Sequence, residues 1–151
     1  MPTPEERKEH IEHSTHPFVD TRGRIDNYDL VTPINMANII TSKPRSIRAN
    51  HYHPEQLQQC LVISGSYISV YRDLLNPNAE LQSQVVRAGD LAVMPPMIAH
   101  AMIFTEDTVF LNLVGGNRDH DKFGRHTVPY VLVKDDDINT FLAKHATELK
   151  T

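Results

Sequence analysis

"RANHYHPEQLQQCLVISG", residues 48–65, carries the strongest signal in the chain. Its second half has the texture of a buried strand closed by a glycine. In front of that strand, His51 and His53 stand one residue apart. Side chains alternate along a strand with a period of two, so both imidazoles are expected on one face, side by side. Two imidazoles sharing a face invite chemistry.

Around this stretch, short runs rich in Val, Ile and Tyr begin near Arg24 and are separated by turn residues at the spacing of an all-β domain. "LQQCLVISGSYISVYRD" reads as two strands joined at Ser64-Gly65-Ser66, and "NPNAE" as a longer turn. "SQVVRAGDLAVMPP" gives a strand, a turn at Ala88-Gly89-Asp90 and a strand stopped by Pro95 and Pro96. "HAMIFTEDTVFLNLVGG" is expected to form a hairpin turning at Thr105-Glu106-Asp107 and ending at Gly115-Gly116. This β-rich middle suggests a sandwich or small barrel.

Helical spacing is confined to "DDDINTFLAKHATELK", where Ile138, Phe141, Leu142, His145 and Leu149 follow an acidic start. A C-terminal helix over one edge of the barrel is expected there. Residues 3–13 are polar with a weak apolar stripe, which predicts a short surface helix or an arm.

A chain of 151 residues has room for one ordinary domain with a real core. With 40 % hydrophobic and 23 % charged residues it falls in the globular range. The net charge of −4 and scattered Lys and Arg leave no basic stripe for nucleic acid. Cys60, the single cysteine, rules out an intrachain disulfide framework and fits a small core residue in a reducing cytoplasm. No secretory signal and no membrane-spanning run is legible, so no membrane partner is expected.

Counting on from His51-x-His53 gives Gln58 after four residues and Gly65 after six more. Gly89 is followed by Pro95 after five residues, and His100 stands five positions beyond that proline. This spacing resembles the two-part signature of the cupin family, H-x-H-x(3,4)-E-x(6)-G and G-x(5)-P-x-G-x(2)-H. Gln58, Met97 and Phe104 replace the usual Glu, Gly and Asn. The resemblance runs from about Arg22 to Gly116 and implies a double-stranded β-helix, or jelly roll. With the polar start and the helical end, this divides the chain into an N-terminal arm or helix (1–19), a barrel (20–133) and a C-terminal helix (134–151). The resemblance also implies that His51, His53, Gln58 and His100 converge in the barrel mouth.

"DTRGRI", residues 20–25, and "RANHYH", residues 48–53, are similar to cupins that rearrange nucleotide-activated deoxysugars. These are the dTDP-4-keto-6-deoxyglucose 3,5-epimerases, the dTDP-sugar 3,4-ketoisomerases and the cupin half of capsular polysaccharide enzymes. The ketoisomerases carry Gln where Gln58 stands and work without a metal. The resemblance implies a cytoplasmic isomerase or epimerase of a nucleotide-linked keto-deoxysugar, serving polysaccharide or glycoside synthesis and requiring no cofactor. His51 would be the base and His53 its partner or reprotonating acid. Gln58 and His100 would hydrogen-bond the keto or enediol oxygens, and Arg22 and Arg48 the diphosphate.

Asn112 falls near the tyrosine that acts as acid in the epimerases; it cannot donate a proton in that way and is expected to bind substrate. Tyr52 points away from the two histidines. An alternative is a divalent metal (Zn, Ni, Fe or Mn) on His51, His53, Gln58 and His100, as in a dioxygenase or lyase. A non-catalytic sugar-binding cupin is a third reading. Related cupins dimerise, so a homodimer is expected. His10, His13, His16, His120, His126 and His145 are expected to be ordinary surface or core histidines.

Overall fold

A computed structural model describes residues 7–115 and 127–150. Gly116, His120 and His126 lie outside these residues. Among the described residues twelve strands are seen, beginning with β1 (His10–Glu12), β2 (Phe18–Asp20), β3 (Gly23–Ile25), β4 (Met36–Ser42), β5 (Ile47–Tyr52) and β6 (Gln58–Ser64). They continue with β7 (Ser66–Asp73), β8 (Gln82–Arg87), β9 (Leu91–Met94), β10 (Ile98–Phe104), β11 (Thr108–Val114) and β12 (Val128–Pro129). A 3₁₀ turn at Asp135–Asp137 leads into α1 (Ile138–Lys144) and α2 (Ala146–Leu149).

Ten of these strands form two five-stranded antiparallel sheets, in the orders β1-β9-β6-β11-β4 and β12-β5-β10-β7-β8. The β2–β3 ribbon stands apart. This is the jelly roll implied by the motifs. Inward-facing Cys60, Val62, Tyr67, Phe104 and Phe110 fill the space between the sheets. Phe104 occupies the signature's Asn position as an apolar wedge, its ring stacked 5.9 Å from Phe110 and 5.5 Å from Tyr67.

Two joints read from turn residues differ in kind from the sequence expectation. β6 and β7 lie in opposite sheets, and so do β10 and β11, so Gly65 and Thr105–Asp107 are corners between sheets and not hairpin turns. The turn residues mark where a strand ends; which sheet the next strand joins depends on partners far along the chain. Gly65 has φ +86, and a Cβ there would lie 2.3 Å from the Asp107 carbonyl oxygen, so the corner closes only on glycine.

The N-terminal arm also forms no helix among its described residues. It adds β1 to the open edge of β9 and seats Glu9 inside the barrel, bonded by Ser69 (3.0 Å) and Gln84 (2.9 Å). Pairing satisfies an edge that would otherwise be open. The C-terminal helices cover a face of the second sheet and not an edge of the barrel. Ile138, Phe141, Leu142 and Leu149 pack on Ile68, Val70, Ala101 and Ile103. His145 is buried and satisfied at both nitrogens, by Ser83 and Glu148, each at 2.8 Å.

Candidate active site

His51 belongs to β5 and His53 follows directly after it, while His100 stands on β10. In the β5–β10 ladder His51 pairs with His100 but Ala49 pairs with Ala101, so Asn50 is an extra residue in β5. This bulge lets Arg48 and His51, three residues apart, face the same interior. Ala49 (φ +69) and Asn50 (φ +53) take left-handed backbone conformations to make it.

The three rings meet as the motif implied. Ring centroids lie 4.8 Å apart for His51–His53, 4.8 Å for His51–His100 and 5.5 Å for His53–His100. A cavity of about 360 Å3, within the ordinary range for small-molecule sites, has His51, His53, Gln58, Asn112, Arg48 and Thr127 on its wall. Ile40, Met102 and Phe110 supply its apolar side.

His100 is not among the described residues that line this cavity. It sits behind the His51–His53 pair, 3 % exposed, and shares a small internal void with Gln58 and Glu9. Its Nδ1 donates to the Ile98 carbonyl at 3.0 Å, because a carbonyl can only accept. Nε2 of the neutral ring is therefore an acceptor, and it is buried without a hydrogen-bond partner. Burial, with smaller contributions from His51 and His53, pushes the His100 imidazole down to about 3, so it stays neutral at physiological pH.

Gln58 Nε2 donates to Cys60 Sγ at 3.3 Å, and its Oε1 is a second buried acceptor with no partner. Cys60 is a core residue, its thiol pushed up to about 12 by burial, and no nucleophile. Asn112, paired with Cys60 across β6 and β11, reaches the cavity wall. Tyr52 turns away from the cavity and packs edge-on against Tyr130 at 6.3 Å.

The two arginines part company. Arg48 lines the cavity and also a neighbouring groove of about 610 Å3 that carries Lys43, Ser42 and Ser46 together with the carboxylate of Asp107. Its guanidinium is braced by Ser42 Oγ at 2.7 Å and the Thr41 carbonyl at 2.9 Å. Arg22 lies on the β2–β3 ribbon with its side chain 85 % exposed, paired to Asp20 at 2.6 Å, and lines neither space. Thr127, with Oγ 3.4 Å from His53 Nδ1, was not legible from the sequence. A lone Thr in a loop carries no spacing signal, and β12 pairing alone brings it in.

The donor set suits a metal after small movements. The three imidazoles offer ligand atoms within 4.8 Å of one another, whereas zinc-bound imidazoles at about 2.0–2.1 Å from the ion stand roughly 3.3 Å apart. Modest side-chain rotations would close that gap, so the histidines fit a divalent ion. No acidic residue is among the described residues lining the cavity, and the carboxyl of Glu9 lies in the void behind it that His100 and Gln58 share.

The family described as Cupin matches residues 27–128. The chain is a cupin. No curated protein sequence matches it. Among solved structures this cupin resembles the sugar 3,4-ketoisomerase of Thermoanaerobacterium thermosaccharolyticum in complex with TDP. The TM-score is 0.65 at 16 % identity, covering 87 % of this chain and 93 % of that one. A 3,4-ketoisomerase from Helicobacter canadensis gives TM-score 0.61 at 22 % identity, covering 78 % and 95 %. The dTDP-4-dehydrorhamnose 3,5-epimerase of Sulfolobus tokodaii gives 0.60 at 17 % identity, covering 76 % and 72 %. At these identities the likeness carries the fold. No helix among the described residues is long and apolar enough to cross a membrane.

Proposed function

We propose that this cupin is an isomerase or epimerase of a nucleotide-linked keto-deoxysugar, working by proton transfer through an enediolate without a metal. The observation that carries the reading is the His51–His53 pair, 4.8 Å apart on the wall of a cavity whose one charged described residue is Arg48. The fold likeness to ketoisomerases and epimerases supports it.

His51 takes the proton from the carbon beside the ketone, and the C–H electron pair moves into the enolate, placing negative charge on oxygen. A protonated His53 returns a proton to the opposite face of that carbon or, once the neighbouring hydroxyl proton has passed to the enolate oxygen, to the former keto carbon. His51 then passes its proton back to His53 through solvent. Such acid–base help is worth about 10²–10⁴-fold. Arg48 stands where the cavity meets the groove, and with Lys43 it offers two cations to a diphosphate whose sugar enters the cavity, against the single carboxylate of Asp107. Gln58, whose buried Oε1 lacks a partner, would accept from a sugar hydroxyl, with Asn112 on the same wall. His100, neutral and behind the pair, can accept a proton in hydrogen bonding but cannot donate one to a keto oxygen. Arg22 would need a partner subunit or a moved ribbon to reach the substrate. A homodimer would cover Ile39 and Ile63, 74 % and 54 % exposed on the outer face of the first sheet.

The test is solvent exchange. The protein is incubated with a dTDP-4-keto-6-deoxy sugar in deuterated water, with and without chelator. Deuterium at C3 that is insensitive to chelator and lost in His51→Ala is expected. No incorporation with any keto sugar would end the proposal.

The clustered imidazole donors favour a second reading, a divalent-metal cupin held by His51, His53 and His100 with Gln58 as a weak fourth ligand. A bound ion would supply Lewis-acid polarisation of a substrate oxygen. Exchange abolished by chelator and restored by Zn, Ni, Fe or Mn would favour it.

A further inference from the structure

Asn50 takes no part in the chemistry above, yet four hydrogen bonds converge on it from one distant segment. Its Oδ1 accepts from the backbone N–H of Leu132 (2.9 Å) and of Val133 (3.1 Å). Its Nδ2 donates to the Val133 carbonyl at 2.9 Å, and its own carbonyl accepts from the Tyr130 N–H at 2.8 Å. All four partners lie within residues 130–133, just after β12.

The same residue is the extra one in the β5 bulge. Two consecutive non-glycine residues at positive φ are unfavourable in a strand, and Asn is among the side chains that tolerate the conformation best. Something must hold the chain there, since the relaxed alternative is an unbulged strand. An unbulged β5 would turn His51 away from His100.

The clamped segment does more than brace the bulge. β12 pairs Val128 with Tyr52 and Pro129 with His51, and Thr127, the residue before it, meets His53 Nδ1 at 3.4 Å. Beyond the clamp, Val133 is buried in the cluster that holds α1 against the second sheet. A continuous line of contacts therefore joins α1, Val133, Asn50, the bulge, and both histidines.

We propose that Asn50 is the positioning residue of this site: its carboxamide fastens residues 130–133 to the β5 bulge and thereby sets His51 against His100 and Thr127 against His53. The proposal rests on the reading of His51 and His53 as the working pair, but its first measurement needs no turnover.

Asn50→Gly keeps the left-handed backbone accessible while removing the side-chain clamp. Asn50→Asp keeps the acceptor for two N–H groups and sets an oxygen against the Val133 carbonyl. In the full chain, imidazole 15N–1H spectra of Asn50→Gly are expected to show shifted, broadened signals for His51 and His53, with the thermal unfolding transition still cooperative. Asn50→Asp should lie between it and the wild type. In turnover, kcat should fall toward the roughly 10²-fold loss that a misplacement of about 1 Å produces, with KM little changed.

Wild-type imidazole spectra in Asn50→Gly would overturn the proposal. If that variant does not fold, wild-type spectra in Asn50→Asp would overturn it equally, and shifted ones would support it. A wild-type protein inactive on every keto sugar sinks the isomerase reading and leaves the spectroscopic result to decide this one.

Discussion

His51 stands directly opposite His100 across β5 and β10, while Arg48 stands opposite Met102; three residues of one strand span two of the other. That one-residue mismatch turns Arg48 and both histidines into one interior. In a regular strand, residues three apart face opposite sides, so the bulge decides whether a cation and a base can share a substrate.

Gln58→Glu tests the choice between proton transfer and metal chemistry. The change places a carboxylate beside three imidazoles whose ligand atoms already lie within 4.8 Å. Affinity for Ni2+ or Zn2+ by calorimetry is expected to rise by roughly 10- to 100-fold, the scale on which changes around a metal alter its binding. An unchanged affinity would mean that the trio is not arranged to coordinate.

His100 predicts an acid-side loss of stability. Burial first, then the neighbouring His51 and His53, hold its imidazole at about 3, against 6.5 for a free ring, although the bond to Ile98 opposes them. The unfolded chain therefore takes up a proton that the native protein refuses. Stability should be complete above about pH 6.5 and fall as the pH drops toward 3, by at most about 1.4 kcal/mol per pH unit. His100→Gln should flatten this limb in urea titrations between pH 7 and 4. Equal slopes for both proteins would contradict the assignment.

Glu9 predicts the opposite slope. Burial raises its carboxyl to about 7, and the bonds from Gln84 and Ser69 only partly counter it. The native protein keeps a proton that the unfolded chain loses above the ordinary value of 4.5, so Glu9's contribution to stability declines from about pH 4.5 to 7 and then levels. Glu9→Gln should match the wild type near pH 4.5 and exceed it above pH 7, the gap opening by at most about 1.4 kcal/mol per pH unit across that window. No difference at pH 8 would show that the carboxyl is solvated there.

Met97 occupies the position where the cupin signature has glycine, and its backbone keeps the glycine conformation, φ +61. Its N–H donates to the His53 carbonyl at 2.9 Å, so the loop is held in this shape beside the site. A side chain in that region costs about 1–2 kcal/mol. Met97→Gly is expected to raise stability by about 1 kcal/mol in denaturant melts, after the entropy that glycine adds to the unfolded chain. No gain would mean that contacts of the Met97 side chain offset its strain.

Much of the fold was legible locally. Alternating apolar runs and their turn residues mark most of the strands, and the offsets among His51, His53, Gln58, Gly65, Gly89, Pro95 and His100 single out the site residues. Those signals need only a few neighbouring positions, because side-chain period and turn preference are properties of short segments. What lay beyond them was long-range. Whether Gly65 turns a hairpin or a corner between sheets depends on where Asp107 and Thr108 arrive. Arg22 matches a motif but stands outside the cavity, and Thr127 matches none but reaches it.

From the order of residues alone come the class of side chain available for chemistry and the spacing that brings it to one barrel. Tertiary folding selects which of those side chains meet the cavity: His51 and His53 on its wall, His100 behind them, Arg48 at its border. Facing is set by strand register, and register here turns on one extra residue whose unfavourable backbone is held by a segment about 80 positions away in sequence.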